Sequence, residues 1–215
     1  LSEPEQAGPR RTVVKAPAEL PYVALAWRVP TLRDIHKDGD YYALQVLAAV
    51  LDGYDGARLA KNIVRGSRVA VTAGAGYDGT ARGESLFVMD GAPAAGKTVA
   101  DVEAALRAEL ARIQTDGVSD DELRRVKAQA VSGQVYKRDS LMGQAMEIGM
   151  VEMVGLSWKN DAEMLARIRA VTPAEVQAVA RKYFSDDHLT VAQLDPLPVD
   201  PQARAKAQAA GGHHH

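Results

Sequence analysis

Residues 84–116 read ESLFVMDGAPAAGKTVADVEAALRAELARIQTD, and the first half of that stretch admits two incompatible folds. Within it, Gly91-Ala92-Pro93-Ala94-Ala95-Gly96-Lys97-Thr98 is a literal G-x-x-x-x-G-K-[ST]. In a nucleotide-binding loop of that form, backbone amides wrap phosphates, the lysine neutralises them and the hydroxyl binds magnesium. A strand before it and a helix after it satisfy the local requirement. The wider requirement is a parallel sheet, so the helix that opens at Thr98 must lead directly into another strand. Instead a long helical stretch follows, far more than a short βαβ crossover explains. Thr98 has a simpler role as an N-cap, with Asp101 three residues on to complete a capping box. The stretch therefore reads as the end of a strand, a turn and a capped helix, with nucleotide binding through residues 91–98 as the alternative.

Upstream, residues 68–77 (RVAVTAGAGY) and 84–90 (ESLFVMD) are strands joined by the Gly- and Asp-containing turn 78–83, the pattern of an antiparallel hairpin. The small residues Ala73, Gly74, Ala75 and Gly76 point to a bend in the sheet or to close approach of another backbone. Two more strands precede these. Residues 11–16 (RTVVKA) are β-branched, and residues 22–29 (YVALAWRV) alternate Tyr22, Ala24, Ala26 and Arg28 with Val23, Leu25, Trp27 and Val29. Between the pairs, residues 41–51 (YYALQVLAAVL) form a helix with Leu44, Leu47, Ala48 and Leu51 on one face, and residues 57–64 (ARLAKNIV) a shorter one.

Downstream the chain is helical. Val102, Leu106, Leu110 and Ile113 mark the first helix, Ser119 and Glu122 form a second capping box, and Thr172-Pro173-Ala174-Glu175 a third with proline at the first helical position. A Met-rich segment (140–155) and a helix over 161–170 lie between. Residues 189–194 (LTVAQL) return as a strand. Strands and helices are segregated, so the fold class is α+β: a mixed, largely antiparallel sheet packed on one side by several helices. Residues 1–10 are expected as a flexible lead-in, 11–195 as one domain, and 196–215 as a disordered tail. The closing Gly211-Gly212-His213-His214-His215 has the look of a purification-tag remnant, and the start at Leu1 suggests a fragment or processed form.

Composition narrows the function. The 215 residues carry 26 Lys+Arg against 28 Asp+Glu, a net charge of −2, and no cysteine. Absence of Cys excludes disulfides, Fe–S ligation and a thiol nucleophile. The charge balance argues against nucleic acid as a partner, and no apolar run reaches the length of a membrane span. Without the tail, only His36 and His188 remain, far apart in sequence, too few for a zinc site. The chain is expected to hold no metal or cofactor. Met142, Met146, Met150 and Met153 form one helical stripe, read as adaptable core packing rather than a binding groove. Glu147 and Glu152 in the same helix are read as structural. Arg58, Lys61, Arg65 and Arg68 cluster around the second helix; they could hold a carboxylate, although a helix C-terminus favours cations on its own account. No Ser/His/Asp arrangement suggests a triad.

Taken together, ALQVLAAVLDGYDGARLAKNIV (43–64), the hairpin RVAVTAGAGY…ESLFVMDGAPAAGKT, VEAALRAELARIQTDGVSDDELRRVKAQ (102–129) and VTPAEVQAVARKYFSDDHLTVAQLDP (171–196) resemble the pitrilysin/insulinase-type zinc metallopeptidases, the family of the mitochondrial processing peptidase. Such proteins pair two similar domains. One carries an H-x-x-E-H helix in which two His bind zinc and Glu activates water. The other has no metal and walls off the substrate chamber. This chain has no H-x-x-E-H, so it resembles the second, and the resemblance implies an inactive domain whose catalytic H-x-x-E-H partner, domain or subunit, holds the zinc. It also implies a peptide substrate and a homo- or heterodimer. Active relatives supply from this domain an Arg and, seven residues on, a Tyr. Here those positions fall on Val64 and Val71, or on Arg65 and Thr72, and neither register supplies the phenol. Arg65 and Arg68 are the candidate substrate-binding residues; no catalytic residue is assigned. A purely structural scaffold domain is the remaining alternative, and nothing in the sequence separates a bacterial periplasm from cytoplasm.

Overall fold

A computed structural model describes residues 6–138 and 141–199, with the side chains of 134–138 and Glu147 excepted. Five strands form one sheet: β1 (Arg10–Pro17), β2 (Tyr22–Val29), β3 (Ala70–Tyr77), β4 (Ser85–Pro93) and β5 (Leu189–Leu197), in the order β1-β5-β2-β4-β3. The β1–β5 pair is parallel and all the others are antiparallel, so the sheet is mixed and largely antiparallel. The period-2 pattern of β2 sets its two faces. Val23, Leu25, Trp27 and Val29 are buried; the first three pair in register with Gly91, Met89 and Phe87 of β4 and with Gln193, Val191 and Leu189 of β5, and Val29 with Ser85 of β4.

That buried face is covered by α1 (Gly39–Asp52), α2 (Val99–Asp116) and α6 (Pro173–Tyr183). Helix α1 buries Tyr41, Tyr42, Leu44, Val46, Leu47, Val50 and Leu51, more than the one face its sequence suggested, because α3 (Asp120–Arg138) and α5 (Asp161–Ala170) pack on its far side. Helix α4 (Leu141–Met153) touches α3. Aromatic rings seal the junction of sheet and helices. Phe184 meets Trp27 and Phe87 edge-on, at centroid distances of 5.1 and 4.8 Å, and the Trp27 indole N–H donates to the Ser185 carbonyl.

All three sequence capping boxes form: Thr98 with Asp101, Ser119 with Glu122, and Thr172 with Glu175. The segment expected as a helix over 57–64 is a π-helix over Leu59–Gly66 instead. Its last turn is wide: the Ser67 amide reaches the Asn62 carbonyl, five residues back, at 2.8 Å. Gly66 permits this, since a Cβ there would lie 2.9 Å from the Lys61 carbonyl oxygen. Residues 6–9, expected to be flexible, are tied to the sheet: Gln6 donates to the Leu189 carbonyl and the Gly8 amide to that of Asp187. Strand β5 runs on past residue 194 to Leu197, paired with β1. Residues 1–5 and 200–215, with the His-rich end, lie outside the described residues.

Glu122 does two jobs. It closes the capping box of α3 and takes a bidentate clamp from Arg58 at 2.7 and 2.9 Å, which ties the π-helix to α3. Hydrogen bonding from Arg58, aided by Ser119, holds the Glu122 carboxyl down at about 2. A depressed carboxylate stabilises the fold above its unfolded pKa and loses that contribution as pH falls through the folded value. Glu122→Gln should therefore cost about 2 kcal/mol near neutral pH by leaving Arg58 poorly matched. Chemical denaturation of both proteins should show the difference fading between the ordinary carboxylate range and about pH 2.

Candidate functional site

The P-loop-like segment is built as the second reading required. Gly91, Ala92 and Pro93 end β4, the Ala94 amide donates to the Val69 carbonyl, and the turn delivers Thr98 to the N-cap of α2. Both neighbours of β4 are antiparallel, so no parallel crossover follows the loop. Thr98 Oγ1 is engaged with Asp101 at 2.8 Å. Nothing in this arrangement is a phosphate cradle.

Among the described residues, helices cover one face of the sheet. The opposite face is open, and its register can be read across four strands. One row runs Gly74–Asp90–Ala24–Ala192, and the next Gly76–Val88–Ala26, with Thr190 opposite Ala26 on β5. The Gly and Ala of β3, β2 and β5 make a floor of short side chains, interrupted on β4 by Asp90 and Val88, and no described helix covers it. Larger side chains rise around it: Tyr22 opposite Leu194, and Arg28 opposite Leu86, with Arg28 3.4 Å from Glu84. Gly74 is small for a local reason. A Cβ there would lie 3.0 Å from Asp90 Oδ1 and 3.4 Å from Asp52 Oδ2. The bend inferred from the small residues lies earlier, as a register shift between Ala70 and Thr72, and what approaches Gly74 is carboxylates rather than a backbone. Burial raises the Asp52 carboxyl, and the charge of Asp90 adds to it. Burial together with Asp90 pushes the Tyr22 phenol up to about 12.

The two edges of the sheet differ. On β3, Asp52 accepts the Ala75 amide at 3.2 Å and Gln45 donates to the Tyr77 carbonyl, so α1 caps part of that edge. No described strand pairs with the outer side of β1, where Val13 and Val14 are exposed.

The sequence-predicted arginines lie apart from this floor, at the exit of the π-helix. Arg65 is exposed and donates to the Asp55 carbonyl; Arg68 is exposed with its backbone at φ 51, a left-handed conformation rare outside glycine. Arg58 is a structural clamp, donating to Gly117 as well as Glu122. Val71, the position the resemblance gave to the phenol, is exposed in the irregular stretch of β3. Glu152 accepts the Trp158 amide, as a structural residue would; the Glu147 side chain lies outside the described residues. His36 sits 3.1 Å from Glu163 on α5, and His188 precedes β5. Among the described residues no group of three or more His, Cys, Asp or Glu is placed to hold a metal ion, so the donors present do not fit zinc.

The methionine stripe is the clearest departure from the sequence reading. Expected in the core, Met142, Met146, Met150 and Met153 are all exposed, as is Leu141. Their spacing located the face of the helix, but spacing alone does not say whether a face turns inward.

A family model described as the peptidase M16 inactive domain matches residues 1–130. The chain belongs to that family. Its structure is similar to a protease from Helicobacter pylori (TM-score 0.81, 20% identity, covering 90% of this chain and 46% of that one). It is also similar to a peptidase M16 inactive domain from Pseudomonas fluorescens (0.69, 16%, 94% and 47%). The first half of the periplasmic protease PqqL from Escherichia coli is a third match (0.73, 16%, 98% and 48%). At these identities the likeness is one of fold, and this inactive domain spans about half the length of each of the three. Comparison with curated proteins gives no match.

In the GKT segment, Thr98 caps α2. Thr98→Ala should cost about 1 kcal/mol through the lost cap, whereas Lys97→Ala should stay within about 0.5 kcal/mol of the parent as a surface change. Thermal melts rank the pair. Calorimetry with ATP and magnesium should be flat, and saturable heat abolished by Lys97→Ala would restore the nucleotide reading.

Proposed function

We propose that this domain is the non-catalytic half of a zinc metallopeptidase assembly, and that its uncovered sheet face encloses and positions peptide substrate. A catalytic H-x-x-E-H domain or subunit supplies the zinc, and this chain binds none. The observation that carries the reading is the floor of Gly74, Gly76, Ala24, Ala26 and Ala192 on a face that no described helix covers. Side chains this short let an extended peptide lie close to the sheet, while Tyr22, Arg28, Leu86 and Leu194 bound it. The Gly and Ala positions are neutral, and the Asp90 carboxylate on β4 stands among them, between Gly74 and Ala24.

Two further contacts fit the same role. The outer side of β1 offers unpaired backbone groups over eight residues, a template for strand addition. Of the two sequence-predicted arginines, Arg68 is the better placed to meet a peptide carboxylate, since Arg65 is already spent on the Asp55 carbonyl.

Titration of the labelled, tag-free domain with an unfolded peptide of about a dozen residues tests the reading; that length spans a five-stranded sheet at roughly 4.8 Å per strand. Amide shifts should concentrate at Ala24, Ala26, Thr190 and Ala192. Ala26→Trp, which fills the floor, should weaken binding at least about tenfold with little change in melting temperature. Shifts confined to the helical layer, or none at millimolar peptide, would favour a purely structural scaffold. Metal analysis of the same sample should find no stoichiometric zinc.

A further inference from the structure

Helix α4 turns a line of sulfur outward. At 100° per residue, Met142, Met146, Met150 and Met153 fall within an arc of about 80°. Met142 is 73% exposed, Met146 59%, Met150 52% and Met153 61%. Every position of α4 inside that arc is methionine, and these four are among only six methionines in the chain. Gly143 and Gly149 lie on either side of the arc, and at Gly149 even an added Cβ would meet nothing within 4 Å. The larger hydrocarbons of the helix, Leu141, Ile148 and Val151, fall elsewhere on its circumference. The helix is anchored from its other side and its end: Val151 and Val154 pack against the core, and Arg82 Nε donates to the Met153 carbonyl at 2.7 Å. The thioethers are thus held on a fixed element and open to solvent.

We propose that this line of thioethers binds a soft monovalent metal ion, copper(I). What the four positions share is sulfur rather than hydrophobicity alone. Leu has much the same helix propensity as Met and would serve an apolar surface equally well, yet no position in the arc is Leu. Thioethers are soft ligands that suit copper(I), whereas hard cations prefer oxygen. On a helix, residues three or four apart have Cβ atoms about 5–6 Å apart. The unbranched chains, with three rotatable bonds each, can therefore bring two sulfurs onto one ion. Helical side chains lean towards the N-terminus, so Met146 can fold back over Met142, and Met153 over Met150. Those two pairs make two bidentate sites. No carboxylate stands within the arc, so the ligand set is neutral and matches an ion of low charge.

The same chemistry separates this site from a zinc centre. The imidazole, thiolate and carboxylate groups that hold zinc are missing from the arc. The site involves neither the open sheet face nor the β1 edge, so it stands independently of the proposed peptide role. The two remaining methionines provide an internal reference: Met89 is buried in β4, and Met164 is half-buried on α5.

Silver(I), a redox-inert ion of the same charge and softness, is the probe, titrated in chloride-free buffer into the tag-free chain. Binding should saturate at micromolar concentration with two ions per chain. With the methionine methyl groups labelled, the signals of Met142, Met146, Met150 and Met153 should move while those of Met89 and Met164 stay. Copper(I), kept reduced without oxygen, should displace silver(I), and zinc(II) should not. Replacing all four residues by Leu keeps the apolar surface and removes the sulfur; it should weaken silver(I) binding at least about 100-fold. All four sites are exposed, so circular dichroism and melting temperature should be unchanged. The smaller change Met142→Leu/Met146→Leu should remove one of the two ions. Binding that survives the fourfold Leu variant overturns the proposal, as do shifts spread evenly over all six methionines. So does a chain that shows no saturable binding at millimolar silver(I).

Discussion

The alternation along β2, the middle strand of the sheet, divides the molecule into a dry side and an open side. Val23, Leu25, Trp27 and Val29 are at most 3% exposed, and each faces an apolar helix; Ala24, Ala26 and Arg28 face away from all of them. Because side chains alternate with period 2, a one-residue slip would move that whole set to the wrong face. Neighbours on both flanks hold the register, with Trp27 paired to Phe87 on one side and to Leu189 on the other. The helical layer, the sealing ring of Phe184 and the position of the open floor all follow from that register.

The periphery is held by charge rather than by area. Glu103 on α2 takes Arg11 from β1 at 2.8 and 2.9 Å and Arg107 from its own helix, so the edge strand is moored to the helical layer at one point. Glu109, also buried, joins Asn62 of the π-helix to Arg112. Arg58 and Glu122 repeat the device between the π-helix and α3. Each carboxylate has lost much of its water and would be costly unpaired, so these three contacts fix orientation where apolar packing between elements is thin. The widened turn of the π-helix fits this picture, since it brings Asn62 and Arg58 to bear on partners from two different helices.

Local signals in the sequence were sufficient for most of this. The three capping boxes located helix starts because a Ser or Thr oxygen and an acid three residues on satisfy amides within a single turn. Helix 161–170 and the hairpin were legible for the same reason: their determinants lie within a few residues. What could not be read depends on distant partners. Residues 57–64 have ordinary helical composition, and their π form reflects Gly66 with Arg58 locked to Glu122, 64 residues away. Clustered arginines looked like a binding site because the acid that uses Arg58 lies in another helix. The open floor was visible only as scattered alanines and glycines, which three different strands bring together. The methionine stripe shows the limit most plainly, since a 3.6-residue period identifies a face without saying which way it looks.

The distribution of charge on the open face bears on what kind of surface it is. Arg28 beside Glu84 stands at one end, while Asp90, beside Tyr22 and near Asp52, lies within the row between Gly74 and Ala24. Asp52 is itself occupied with the Ala75 amide, so it blocks an edge rather than advertising a charge. Between these groups lie Ala24, Ala26, Ala192, Gly76 and Val88. A catalytic site gathers ligating or acid–base side chains at its centre; here most positions of the two central rows are Gly or Ala. Such a face offers shape and proximity to a backbone. The sheet register that seals the core beneath α1 also sets the open face, because the residues between the buried positions of β2 are Ala24, Ala26 and Arg28.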